Sequence, residues 1–197
     1  PELVKAVAPD IKIYFSDQKL DNKHMNFLYN MADVTINIAS NEGWGLSITE
    51  SLLTETPIIV NTTGGLQDQC GFKKDDGSYL TVDDYTTEWG SNHDGRYKEC
   101  GEWAKPVFPS SISLVGSIPT PYIFDDRCRW DDTADKIKEW YDAGDDERKR
   151  CGELGREYAF SEQAGMTSEM MCQGFIDKMD TAFEKWTPRN RYEIFKV

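Results

Sequence analysis

Between Ala32 and Gly65 the chain reads ADVTINIASNEGWGLSITESLLTETPIIVNTTGG, and this stretch restricts the fold most tightly. Val34 to Ala39 alternates β-branched with smaller residues, as a strand does. Leu46 to Glu55 has the pattern of a short helix, and Ile58 to Asn61 is a short apolar run suited to a second strand. Strand, helix and strand in that order make a βαβ unit. Between its first strand and its helix lies Asn41-Glu42-Gly43-Trp44-Gly45. Two glycines there let backbone approach a ligand closely, and the first N–H groups of the helix point into the same space, which suits a phosphate. Two carboxylates bracket the loop: Glu42 within it, and Glu50 about one turn into the helix.

A chain of 197 residues suffices for one large domain, or a domain with an elaboration, and can bury a sizeable core. Its 22 basic and 35 acidic residues give a net charge of −13. That balance argues against a nucleic-acid or anionic-membrane binder, because phosphate contacts need clustered Lys and Arg. No apolar run approaches the ~18 residues of a membrane span, and no basic-then-apolar leader is present. The first residue is Pro1 rather than Met, so we expect a piece of a longer protein. Cys70, Cys100, Cys128, Cys151 and Cys172 are odd in number and include no C-x-x-C pair. Free thiols in a reducing cytoplasm are the expectation, with no zinc site.

Elsewhere the pattern is mostly helical. Asp10 to Phe15 alternates well enough for a strand; after a polar loop, Asp21 or Asn22 can cap a helix to about Met31 with Met25, Leu28, Tyr29 and Ala32 on one face. His24 falls in its first turn with no acidic or Cys partner at ligand spacing and reads as a surface residue. From Asp132, a second capping residue, a helix carries Ala134, Ile137, Trp140 and Tyr141 until Gly144 stops it. A charged helix follows from Asp145 to Ala159. The last helix, from near Ser161 to Trp186, has a stripe of Met171, Phe175, Met179, Phe183 and Trp186 that reads as core or interdomain seam. The acidic pairs Asp75-Asp76, Asp125-Asp126 and Asp131-Asp132 look like turns and caps rather than metal ligands.

The loop and its surroundings resemble the retaining GT-B glycosyltransferases that use nucleotide-sugar donors. Their signature is an acidic residue, Gly, an aromatic, Gly, Leu and a second Glu eight positions after the first. Here it stands as Glu42-Gly43-Trp44-Gly45-Leu46 and Glu50, preceded by Tyr29, Ala32-Asp33-Val34 and Ser40 and followed by Pro57-Ile58-Ile59-Val60 and Gly64-Gly65. The likeness is close from about Ile11 to Gly65 and is echoed by the helices after Asp131. It implies an α/β fold: a Rossmann-like parallel sheet with helices on both faces, the C-terminal, donor-binding half of a GT-B enzyme.

The resemblance also assigns roles. Glu42 would stand by the donor sugar as charge develops at the anomeric carbon. The N–H groups of Trp44, Gly45 and Leu46, with Gly43 beside them, would seat the pyrophosphate, and Glu50 would take the two ribose hydroxyls. Ser47-Ile48-Thr49-Glu50 also fits a capping box, in which Glu50 would only hold the helix start. The family ends its first strand beside the base, usually with a glycine where this chain has Ser16, and it neutralises the diphosphate with an Arg and a Lys upstream. Lys5 and Lys12 are the cations near that place, and neither stands in a motif. The usual pair, the acceptor site and an N-terminal domain would then precede Pro1. No metal or cofactor is expected; the partners are the nucleotide-sugar donor and a saccharide or other hydroxyl acceptor. The alternatives are a non-catalytic nucleotide-sugar-binding or scaffold subunit, and a GT-B epimerase or phosphorylase.

After Gly65 the chain leaves the family pattern. About 35 residues between positions 70 and 125 read as an insertion with a small hairpin near the mouth of the cleft. A surface elaboration is the plainer account; in the sharper one it joins the acceptor site or a partner contact, with Trp89 and Trp103 as the residues to test.

Overall fold

The computed structural model describes residues 6–187, with backbone only at Thr120 and Pro121. In chain order the elements are α1 (Asn22–Met31), β1 (Thr35–Asn37), α2 (Leu46–Leu53), β2 (Ile58–Asn61), α3 (Gly64–Asp68), β3 (Ala104–Val107), β4 (Ser111–Ser117), β5 (Thr120–Arg127), α4 (Trp130–Ala143), α5 (Asp145–Ala159) and α6 (Ser168–Lys185). Strands β1, β2 and β3 form a parallel sheet in that order, and β4 and β5 form a separate antiparallel hairpin.

Strand β2 is central and buried throughout, as a continuous apolar run in a parallel sheet should be. Its alternation divides the core. Ile58 and Val60 pack with Ile48 and Leu52 of α2, Leu66 of α3, Trp103 and Ala159 of α5. Ile59 faces the other way, onto Val107, Trp140 of α4 and Cys151. Helices therefore flank both faces of a mixed α/β domain. Helix α5 comes close to α2 and the turn after it, because Gly152 and Gly155 leave no side chain against the Glu55 backbone and the Leu52 methyl.

Several expectations are corrected. Asp10 to Phe15 forms no strand: Ile11, Ile13, Tyr14 and Phe15 are exposed, and alternation without a ladder partner does not make one. The first sheet strand covers only Thr35–Asn37, since its register with β2 spans three pairs. Helix α4 is entered from Arg129, with Asp131 and Asp132 in its first turn, where they favour the positive end of the helix without capping it. The last helix starts at Ser168, capped by the Thr167 hydroxyl, because Gly165 turns the chain at φ 60° after a turn at Ser161. Its stripe is not core: Met171, Phe175, Met179, Phe183 and Trp186 are all more than half exposed. Asp21 caps α1, and its carboxylate also meets the exposed His24 ring at 2.7 Å, an acidic partner the spacing argument missed.

The stretch after Gly65 contributes a sheet strand that composition hides. β3 reads Ala-Lys-Pro-Val and pairs with β2 from Ile58↔Ala104 to Asn61↔Val107. Ile58 N–H donates to Trp103 O and Thr62 N–H to Val107 O, so the odd-numbered residues face the ladder. The missing donor of Pro106 then falls on the free edge, where a proline is tolerated. The expected hairpin is present as β4 and β5. Lys5 and the tail from 188 to 197 lie outside the described residues. All five cysteines are free thiols, and no helix among the described residues is long and apolar enough to cross a membrane.

Candidate functional site

The loop from Asn41 to Gly45 leaves the carboxyl end of β1 and enters α2 through Gly45, which is the N-cap in the left-handed region at φ 85°. No side chain caps the helix. Among the described residues, the N–H groups of Gly43, Trp44, Gly45, Leu46 and Ser47 have no acceptor. Leu46 and Ser47 carry two of these donors in the first turn of the helix, where its dipole favours an anion. The loop is held from behind by Gly64 and Gly65. A Cβ on Gly64 would overlap the Glu42 carbonyl oxygen, and one on Gly65 would lie 2.6 Å from the Gly43 oxygen and 2.7 Å from Trp44 Cα. Gly65 N–H donates to Gly43 O at 3.2 Å, fixing that crossing.

A buried relay sets the remaining geometry. Trp44 Nε1 donates to Thr49 Oγ1 at 2.8 Å, Thr49 Oγ1 donates to Gln69 Oε1 at 2.9 Å, and Gln69 Nε2 donates to Trp44 O at 2.6 Å. Gln69 is fully buried, so each of these bonds is made where an unmet polar atom would be costly. The closed circuit folds the indole back along α2 and leaves Trp44 partly exposed. Nothing in the local sequence marks Gln69; its part depends on the fold that buries it.

Glu50 lies in the second turn of α2, exposed, and does not close a capping box, because the helix starts two residues before Ser47 at Gly45. Its Oε2 instead accepts from the Tyr29 hydroxyl at 2.9 Å. Tyr29 is anchored in turn, its carbonyl accepting from the buried Thr56 hydroxyl at 2.9 Å. Glu50 and Tyr29 line a cavity of about 230 Å³ with Asn22, Met25, Asn26, Leu53 and Thr54. The loop residues do not line it. Glu50 and the loop share one helix, about 6 Å apart along its axis. Among the described residues Glu42 has no side-chain hydrogen bond or ion pair, and its Cγ lies against Gly45.

No family model and no curated protein matches the chain.

The hairpin reaches the same end of the sheet. Asp126 N–H donates to Ser40 O at 2.8 Å, the Thr63 hydroxyl donates to Asp126 Oδ2 at 2.8 Å, and Asn41 Nδ2 donates to Phe124 O at 3.3 Å. Buried Asn61 adds two bonds, from its Nδ2 to Ala39 O at 2.9 Å and to Asp126 O at 2.8 Å. Asp126 is thus neither turn nor cap; it ties the hairpin to the carboxyl ends of β1 and β2. Trp89 and Trp103 are not at this mouth. Trp103 is 5% exposed in the core, and Trp89 packs among Tyr85, Tyr97 and Arg96 with its Nε1 on Asp94.

A second acidic group, Glu102, Glu147 and Cys151, has ligand atoms within 4.8 Å of one another. The Arg150 guanidinium bonds both carboxylates, so a cation already balances them; it holds Glu147 down to about 2. A roomier cavity of about 460 Å³ lies over β1 beside α4, lined by apolar side chains including Ile36, Ile59, Ile137 and Trp140. Its charged lining residues are Asp33 and Arg148, and the Arg148 guanidinium is already taken by Asp33, Asp145 and the Trp140 carbonyl.

Burial raises the Tyr29 hydroxyl to about 12, and the Glu50 hydrogen bond and charge add to the shift. Its folded pKa exceeds the unfolded value near 10, so its contribution is complete below pH ~10 and is lost as pH rises toward 12. Titration of tyrosinate absorbance should show the Tyr29 hydroxyl missing from the normal transition together with those of Tyr85 and Tyr158, which burial also raises; the Tyr29 share should be absent in Tyr29→Phe and moved downward in Glu50→Ala. An unchanged profile in Glu50→Ala would refute the pairing in solution.

Proposed function

We propose that this chain binds a nucleotide-diphosphate sugar as the donor-binding half of a retaining GT-B glycosyltransferase, and that with an N-terminal domain it transfers the sugar to an acceptor hydroxyl. One observation carries the reading: the run of N–H groups without acceptors from Gly43 to Ser47, at the start of the helix that also presents Glu50. The diphosphate sits on those donors, where partial positive charge is fixed in advance. Glu50 takes the ribose hydroxyls. Tyr29 orients it by one oxygen and leaves the other accepting, which lowers the ordering cost of a bidentate contact. Glu42, unpaired beside Gly45, faces the sugar and stabilises positive charge as the anomeric bond breaks. Among the described residues no cations cluster at the loop, and in this reading a pair from the N-terminal domain completes the neutralisation.

The test is thermal unfolding against a panel of nucleoside diphosphates and their sugar conjugates. A binding nucleotide at a hundredfold excess over its Kd adds about 2.7 kcal/mol of stability. Glu50→Ala removes a charged hydrogen-bond acceptor and should weaken that nucleotide by about 2 kcal/mol, roughly thirtyfold. Stabilisation by no member of the panel would count against a donor site in this chain, and equal stabilisation of wild type and Glu50→Ala would remove Glu50 from it.

A further inference from the structure

The direction of the buried circuit behind Trp44 is fixed by residue type. An indole N–H can only donate, so Trp44 Nε1 makes Thr49 Oγ1 an acceptor, and the one proton of that hydroxyl is left for Gln69 Oε1. The Gln69 amide therefore turns its oxygen to Thr49 and its Nε2 to the loop. Three carbonyl oxygens converge on that nitrogen: Trp44 O at 2.6 Å, Gly45 O at 3.3 Å and Gly65 O at 3.5 Å. In the reverse orientation Oε1 would face all three with no proton between them. Gln69 is fully buried, so solvent would not screen that repulsion.

The consequence reaches the other side of the backbone. A planar trans peptide unit holds its C=O and its N–H in opposite directions. With the Trp44 and Gly45 carbonyls drawn inward onto Nε2, the N–H groups of Gly45 and Leu46 point away from Gln69, and both are among the donors without an acceptor. Glycine at position 45 leaves room for this arrangement, since a Cβ there would lie 2.5 Å from Leu66 Cδ2 and 3.5 Å from Gln69 Nε2.

We propose that Gln69 is a positioning residue for the donor site: it aims the Gly45 and Leu46 N–H groups at the donor's phosphates, while the Trp44 indole, through Thr49, sets the direction of its amide. The proposal rests on the donor-site reading above. Gln69 is buried and touches no ligand; it acts through two peptide units of the loop. Fixing those units before the ligand arrives removes part of the ordering cost of binding.

The experiment joins nuclear magnetic resonance of the Trp44 indole, assigned by its absence in Trp44→Phe, with calorimetric titration of the folded chain by uridine, adenosine and guanosine diphosphate. Thr49→Val keeps the side-chain shape and removes the hydroxyl. Its Trp44 indole N–H should exchange with solvent about tenfold faster, and its affinity for the nucleotide that binds wild type should fall about tenfold. Thr49→Ser restores the hydroxyl and should restore both. Gln69→Glu puts an oxygen against the three carbonyls and should abolish detectable binding; Thr49→Val decides the point if that variant does not fold. Ser51→Ala is the control: it removes a buried hydroxyl of the same helix, bonded to Thr35 Oγ1 and Thr56 O, and should lower the unfolding midpoint without changing affinity. Wild-type affinity in Thr49→Val, as in Ser51→Ala, overturns the positioning role and leaves the donor site. Unchanged indole exchange in Thr49→Val means that the circuit is not formed in solution and overturns it too. Binding of none of the three nucleotides by wild type removes the donor-site reading, and the positioning role with it.

Discussion

Trp103→Ala is expected to lower the unfolding free energy by about 4 kcal/mol, a large part of what a domain of this size has. The indole is 5% exposed, stacks on Tyr158 at 4.6 Å and donates its Nε1 to Gln69 O at 3.0 Å. It sits in a slot made by glycines: a Cβ at Gly71 or Gly155 would come within 3 Å of it, and one at Gly101 would overlap the ring. Alanine leaves a cavity that these backbone segments cannot close. The bond to Gln69 connects the loss to the site, because the same residue's amide holds the carbonyls of Trp44 and Gly45. Trp103→Phe keeps a stacking ring but loses the donor and part of the packed ring volume, so an intermediate cost of about 2–3 kcal/mol is expected. Urea unfolding of both variants decides the point. A cost below about 1 kcal/mol for alanine would mean that the indole is not a core element and would reopen the acceptor role.

Gly64→Ala should cost about 3 kcal/mol and abolish nucleotide stabilisation at the same time. Its φ of 45° is strained for any residue with a Cβ, and that Cβ would overlap the Glu42 carbonyl oxygen. The obstacle is backbone, so no rotamer change relieves it, and the loop must move with its row of N–H groups. Two controls separate the causes. Gly77→Ala has φ 81° and nothing within 4 Å, so it should show only the conformational cost of about 1 kcal/mol. Gly43→Ala meets nothing within 4 Å and needs no positive φ, so it should be nearly neutral for stability. Gly64→Ala with stability and nucleotide response like those of Gly43→Ala would show that the loop does not rest on this crossing.

The elements that could be read from residue order are those whose own pattern is sufficient. β2 announces itself by Ile58-Ile59-Val60, and the charged helix from Asp145 to Ala159 is found with its expected bounds. The helix after the glycine loop is found with its end shortened, where Glu55 takes φ 61°. β3 was hidden because Lys105 and Pro106 are poor strand formers, and only pairing with β2 makes their segment a strand. Residues 10 to 15 fail in the opposite sense: the alternation is there and the neighbour is not.

The candidate site divides in the same way. The glycines, Glu42 and Glu50 were legible because turn geometry and spacing are local properties. Whether Glu50 caps its helix was not, because that depends on where the helix begins, and Gly45 at φ 85° moves the start away from Ser47. Trp89 and Trp103 stand out as aromatics in an apparent insertion, yet both are packed inside, and it is the Phe124 carbonyl that meets the loop, at Asn41.

By itself the sequence determined a βαβ unit with a glycine loop and two carboxylates beside it, since backbone freedom and hydrophobic period act over a few residues. Only the tertiary structure decided what holds them: Tyr29 on Glu50, Gln69 behind Trp44, Gly64 under Glu42, Asp126 at the mouth. Those contacts join residues 21 to 63 positions apart, and burial and hydrogen-bond pairing at such separations are set by the packing of the whole sheet.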